Sequence, residues 1–84
     1  MKLYIGNIPY TTSESDLRQF ISDSTSFEEL IYPIDNYTDQ PRGFAFITMA
    51  DRNSGEEAIR HLDGSELNGR RLRVNEARQK EKSH

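Results

Sequence analysis

Short apolar clusters alternate along this chain with two stretches whose apolar residues recur at helical spacing. Lys2-Leu3-Tyr4-Ile5-Gly6 is rich in aromatic and β-branched residues and is stopped by Asn7-Ile8-Pro9, which predicts a strand. In the following Thr11-to-Leu17 segment, Ser13 is placed to cap a helix, with Asp16 at the third helical position and Glu14 favoured by the helix dipole. Leu17, Phe20 and Ile21 then share one helical face, and Ser22-Asp23-Ser24 ends the run. A second strand is expected over residues 27–32. Its apolar residues Phe27, Leu30 and Tyr32 break strict alternation, which predicts a β-bulge between 27 and 30, and Pro33 suits a strand end or an edge.

Asp35-Asn36-Tyr37-Thr38-Asp39-Gln40-Pro41 reads as a polar loop, and Gly43-Phe44-Ala45-Phe46-Ile47-Thr48-Met49 as the third strand. Asp51 can cap a second helix whose apolar face is Gly55, Ala58, Ile59 and Leu62. Asp63-Gly64 and Asn68-Gly69 are turn signals around a short piece, after which Arg71-Leu72-Arg73-Val74-Asn75 is the fourth strand. The order is strand, helix, strand, strand, helix, strand. Two right-handed crossovers of this kind interleave as a split βαβ pair. The expected fold is α+β, a ferredoxin-like βαββαβ arrangement whose four-stranded antiparallel sheet runs 4-1-3-2. Both helices lie on one face and the other face is open. One domain covers residues 1–77, and 78–84 is a charged tail expected to be disordered.

The 84 residues hold 33% hydrophobic and 30% charged positions at a mean hydropathy of −0.86, lean values offset by four Tyr and four Phe. A chain this short is one small two-layer domain. There is no Cys, which excludes disulfides, thiol nucleophiles and thiolate-held zinc, and His61 and His84 are the only imidazoles. Neither a metal nor a cofactor is expected. No apolar run approaches the roughly 20 residues of a membrane span, and no signal-peptide profile opens the chain, so a cytoplasmic protein without a membrane partner is expected. The net charge of −3 is unevenly spread. Residues 1–69 carry five basic against twelve acidic side chains, a balance of −7, whereas 70–84 carry six against two, a balance of +4. An acidic body with a basic last strand can still bind nucleic acid locally.

Strand parity singles out one surface. Ala45, Ile47 and Met49 are the small and aliphatic set that helices can cover, which turns Phe44 and Phe46 toward water. Leu3 and Ile5 are likewise core residues, so Tyr4 points the same way as the two phenylalanines. Central neighbouring strands thus gather three rings on a face no helix covers. Leaving each ring exposed forgoes about 1.5–3 kcal/mol of burial, and a surface of that kind marks a partner. Flat rings suit unstacked bases at about 1–3 kcal/mol per stack. Lys2, Arg42, Arg71 and Arg73 flank them as candidate phosphate contacts.

Two motifs carry a family resemblance. Leu3-Tyr4-Ile5-Gly6-Asn7-Ile8 resembles the hexamer of the RNA recognition motif family, and Arg42-Gly43-Phe44-Ala45-Phe46-Ile47-Thr48-Met49 resembles its octamer, K/R-G-F/Y-G/A-F-V-x-F/Y. They stand in the family's order with a helix between them, and the likeness covers residues 2–77. With the closing Arg73-to-Arg78 segment and the short chain, it is most similar to the small single-domain RNA-binding proteins of bacteria, including cyanobacteria. The resemblance implies that Tyr4 and Phe44 each stack a base, that Phe46 packs on sugars, and that Arg42 meets phosphate. It also implies base-edge reading around Arg73 and Asn75 with Glu76, Ala77 and Arg78. The implied partner is short single-stranded RNA, with single-stranded DNA held more weakly, and the implied protein is a monomer, in post-transcriptional regulation or as an RNA chaperone. Met49 departs from the octamer's final aromatic at a position of core parity. The loop before the octamer carries Asp35 and Asp39 where many relatives carry Arg or Lys, which predicts modest affinity.

The remaining aromatics and polar residues have blander readings. Tyr32 is expected in the core and Ile31 on the ligand side, an assignment a one-residue slip would reverse. Tyr37 reads as a solvated turn residue, Tyr10 as packing over the start of the first helix, Asn7 as a cap on backbone groups, and His61 as solvent-facing. Glu28-Glu29 and Glu56-Glu57 diverge from each other on a strand or helix and imply no acid–base pair. An acylphosphatase-like enzyme on this topology would need an Arg in the loop after the first strand, and Asn7-Ile8-Pro9-Tyr10 has none, so no enzyme is expected. A protein-binding variant of the fold, using the sheet or the acidic helical face, is the alternative reading.

Overall fold

A computed structural model describes residues 1–77, and Arg78 with the rest of the expected tail lies outside the described residues. The elements run β1 (Lys2–Gly6), α1 (Glu14–Ser24), β2 (Glu29–Ile31), β3 (Ala45–Thr48), α2 (Arg52–Leu62), β4 (Glu66–Leu67), β5 (Arg70–Arg71) and β6 (Arg73–Glu76). The antiparallel main sheet has the order β2-β3-β1-β6, which is the expected 4-1-3-2 arrangement. Strands alternate between two faces, so a helix-covered sheet buries every second residue. Leu3, Ile5, Ala45, Ile47 and Val74 are accordingly buried, and they meet Leu17, Ile21, Ala58 and Leu62 from the helices in one core. Met49 is buried with them, as its parity required.

Both helices start where local chemistry starts them. The Ser13 hydroxyl accepts from the Asp16 N–H at 3.1 Å, and the Asp51 carboxylate accepts from the Ser54 N–H at 2.8 Å. That backbone hydrogen bond from Ser54, which favours the charged form, holds the Asp51 carboxyl below its ordinary value. Gly55 sits on the buried side of α2, where the Met1 side chain occupies the space a Cβ would need.

The second strand is shorter than its apolar pattern suggested, with Phe27 before it and half-buried against the core. The Glu28 N–H and the paired residue Glu29 are both directed at Thr48, so the irregularity behind the broken alternation sits at the mouth of β2. Tyr32 is in the core, and its hydroxyl donates to the Thr12 carbonyl at 2.8 Å. Burial raises that hydroxyl's pKa.

A correction concerns the fourth strand. Arg71 belongs not to the main sheet but to a β4–β5 hairpin in which it pairs with Glu66, and the sheet strand begins at Arg73. Asn68 and Gly69 form its turn with φ of 51° and 89°, the left-handed pair that a two-residue hairpin loop requires. The Asn68 amide also donates to the Thr12 hydroxyl at 3.1 Å, and the Asn7 amide to the Arg71 carbonyl at 2.7 Å, so two asparagines tie the hairpin to the loop after β1. Asn7 thus caps backbone, as expected.

Candidate nucleic-acid interface

Register lays out the helix-free face as rows. Ile31, Phe46, Tyr4 and Asn75 stand side by side across β2, β3, β1 and β6, and Glu29, Thr48 and Lys2 form the next row. Ile31, Phe46, Tyr4 and Thr48 are half-buried or exposed between buried chain neighbours, which places the rows on the open side. Ile31 is 42% exposed there, the side its parity predicted. Phe44 precedes the first residue of β3, yet its ring joins the group.

The three rings form a closed triangle. Tyr4 and Phe44 lie 6.1 Å apart with planes 26° from parallel. Phe46 stands edge-on to both, 5.8 Å from each, at 60° to Tyr4 and 79° to Phe44. Mutual contact holds each ring half-buried and in a preferred edge-to-face or offset geometry. Two similarly oriented faces with a third ring turned across them can take two flat groups and the linker between. The Tyr4 ring is laid down along its own strand over Gly6, where a Cβ would come within 2.6 Å of the tyrosine oxygen. Sequence reasoning assigned Gly6 no part in the site; its place two residues beyond Tyr4, on the same strand face, is the signal that could have done so.

Of the cations named from sequence, Lys2, two residues before Tyr4, and Arg73, opposite Gly6 two residues after it, are exposed on either side of the Tyr4–Phe46 row, and Arg42 is exposed in the loop before Phe44. Arg71 is exposed on the hairpin beside the sheet. None of these four forms an ion pair among the described residues, whereas Arg18 pairs with Glu14 and Arg52 with Glu56 and Glu76 on the helical side. Asn75 neighbours Tyr4 in the row. The Glu76 side chain instead shares the side of Val74 and reaches Arg52 at 3.7 Å, away from the rings. The Ala77 N–H is spent on the Lys2 carbonyl at 2.8 Å. Arg78 lies outside the described residues.

Expectations for three further side chains have mixed outcomes. Tyr37 is almost fully exposed, and His61 is exposed. Tyr10 does not pack over the helix start; it is 61% exposed and its ring lies against Gly43, where a Cβ would come within 3.3 Å of it. The reason is a tie between loops, since the Ile8 N–H donates to the Gly43 carbonyl at 3.0 Å and draws the chain after β1 toward residues 42–43. Among the described residues there is no cluster of metal-ligating side chains, and no helix is long and apolar enough to cross a membrane.

A four-stranded antiparallel sheet backed by two helices, with aromatic rings on its open surface, is the arrangement of the family that the two sequence motifs resemble. The chain belongs to the RNA recognition motif family, whose sequence profile matches residues 3–73. It is 40% identical over 81 residues to the "Putative RNA-binding protein RbpD" of Nostoc sp., which covers 96% of this chain and 86% of that protein. Among solved structures, it superposes on the RNA-binding protein PG1 with a TM-score of 0.81 at 33% identity, covering 98% of this chain and 99% of the other. The Rna15 RRM with bound RNA (GU) is similar at a TM-score of 0.83 and 29% identity, with 98% and 87% covered. The family is one of binding proteins and not of enzymes.

Proposed function

We propose that the chain binds a short single-stranded RNA across the open face of its sheet. The observation that carries this reading is the Tyr4–Phe44–Phe46 triangle, held on the surface that the helices leave bare. Tyr4 and Phe44 each stack a base, while Phe46, edge-on between them, packs on the sugars that join the two. Lys2, Arg42, Arg71 and Arg73 hold phosphates around the rings, and Asn75, next to Tyr4, hydrogen-bonds a base edge. Membership of the family and a similar domain solved with bound RNA support the same partner. Intact rings, beside cations that form no ion pair among the described residues, favour RNA over a polypeptide ligand.

Stacking of two or three bases supplies about 2–9 kcal/mol before the cost of ordering the strand. A net affinity in the micromolar range, near −8 kcal/mol, follows. Acidic Asp35 and Asp39 in the 35–41 loop keep it modest. DNA lacks the 2′-hydroxyl and binds more weakly. The protein acts as a monomer in the cytoplasm, regulating or remodelling RNA.

The test is titration of randomised short RNA and DNA into the wild type and a Phe44→Ala/Phe46→Ala variant. Removing two ring contacts is expected to weaken RNA binding by at least tenfold, at about 1–3 kcal/mol per stack. Equal binding by the double variant would remove the site.

A further inference from the structure

The β4–β5 hairpin holds Arg70 and Arg71 in solvent, while Leu67 within it and Leu72 just after it are buried in the core. Apolar burial is non-directional, so those two leucines fix where the hairpin lies but not how it is tilted. Two side-chain amides remove that freedom. Asn68, in the hairpin turn, donates to the Thr12 hydroxyl at 3.1 Å, and Asn7 donates to the Arg71 carbonyl at 2.7 Å. The segment that receives the hairpin is itself fastened. Thr12 is fully buried; its N–H donates to the Pro9 carbonyl at 3.0 Å and its carbonyl accepts from the Tyr32 hydroxyl at 2.8 Å. Next to Asn7, the Ile8 N–H donates at 3.0 Å to the carbonyl of Gly43, the residue between Arg42 and Phe44. Residues 7–12 thus form a bracket that joins the hairpin to the ring-bearing strand.

We propose that Asn7 and Asn68 are positioning residues for RNA binding, whose amides set the hairpin so that Arg71 meets the phosphate of a strand lying on the rings. The inference rests on the reading of the sheet as a single-stranded RNA surface. An arginine on a loose hairpin gives up backbone and side-chain freedom at the moment of binding, and that loss is subtracted from the affinity. A hairpin held beforehand removes the backbone part of it. Both asparagines sit in the left-handed region, with φ of 64° at Asn7 and 51° at Asn68. Glycine satisfies that backbone at least as well, but it brings no donor. What the asparagines add over glycine is the pair of amides, and both amides are spent on holding the hairpin.

Asn7→Gly/Asn68→Gly removes the amides and keeps the left-handed backbone available at both positions. Titration with a randomised short oligoribonucleotide over a salt series compares this pair with wild type, with Arg71→Ala and with the triple variant. The glycine pair is expected to bind about twofold to fivefold more weakly, the scale of one exposed charge contact. Its slope of log K against log salt should be shallower by about 0.7, the share of one phosphate on a single strand. Arg71→Ala should produce both changes in the wild-type background and neither in the glycine pair, because the contact can be lost only once. Ring resonances of Tyr4, Phe44 and Phe46 should shift on RNA addition as in wild type, which a misfolded variant would not show. Thr12→Val, which takes away the acceptor, should shift the salt slope in the same direction, and Thr12→Ser should keep the wild-type slope. Additive losses from Arg71→Ala and the glycine pair, or an unchanged salt slope in the glycine pair, overturn the positioning role and leave the ring surface standing. RNA binding undiminished in Phe44→Ala/Phe46→Ala overturns the underlying reading instead.

Discussion

Gly6 shows how much one missing side chain can arrange. The Tyr4 ring lies over it, and a methyl group there would contact the ring at three atoms between 2.6 and 2.9 Å. The backbone of Gly6 is ordinary extended strand paired with Arg73, so an alanine fits the strand and the flexible ring is what must move. Gly6→Ala is therefore expected to tilt Tyr4 off the surface. RNA affinity should fall about fivefold to tenfold, most of one stack, while the melting temperature moves by only a degree or two. Calorimetric titration beside a thermal melt checks both. Tyr4, Phe44 and Phe46 themselves were readable from parity, since Leu3, Ile5, Ala45 and Ile47 claim the core. Which way the Tyr4 ring lies along its strand was not, because parity assigns a face and leaves the rotamer open.

At the scale of elements, helix α2 depends on the residue that caps its start. Asp51 accepts the Ser54 N–H that the helix leaves unpaired, and its pKa is lowered from the ordinary 3.8. A carboxylate with a depressed folded pKa stabilises fully above its unfolded value and stops doing so as pH falls through the folded one. Asp51→Ala is expected to melt at lower temperature at neutral pH. The difference from wild type should close as pH is lowered below about 3.8, which circular dichroism melts across that range would show. Both helices and their caps were legible because capping is local chemistry within four residues. The β4–β5 hairpin was half legible. Asn68-Gly69 marked the turn, but only pairing with Glu66 and Leu67 assigns Arg70 and Arg71 to it. The mouth of β2 was likewise settled by its partner Thr48 and not by its own sequence.

For the whole molecule, the question is how a chain of net charge −3 holds a polyanion. The fold sorts its charges. Arg18 and Arg52 are committed to acidic partners on the helical side, and Lys2, Arg42, Arg71 and Arg73 are left around the open face. With two to four phosphates engaged, the slope of log K against log salt for single strands is expected at about −1.4 to −2.8. Fluorescence titrations over a salt series measure it. A slope near zero would mean that these cations do not meet phosphate.

Short-range pattern in the sequence determined the order of elements, the caps, the core and the three-ring face. Each follows from residues close in the chain, through strand alternation, helical spacing or a capping side chain. The tertiary structure alone decided how the rings tilt against one another, that Arg71 sits on a hairpin, that Glu76 turns to Arg52, and that Tyr10 stands over Gly43. Those outcomes depend on contacts between segments distant in sequence, such as Ile8 with Gly43 and Asn7 with Arg71, and no local pattern records which partner a loop will meet.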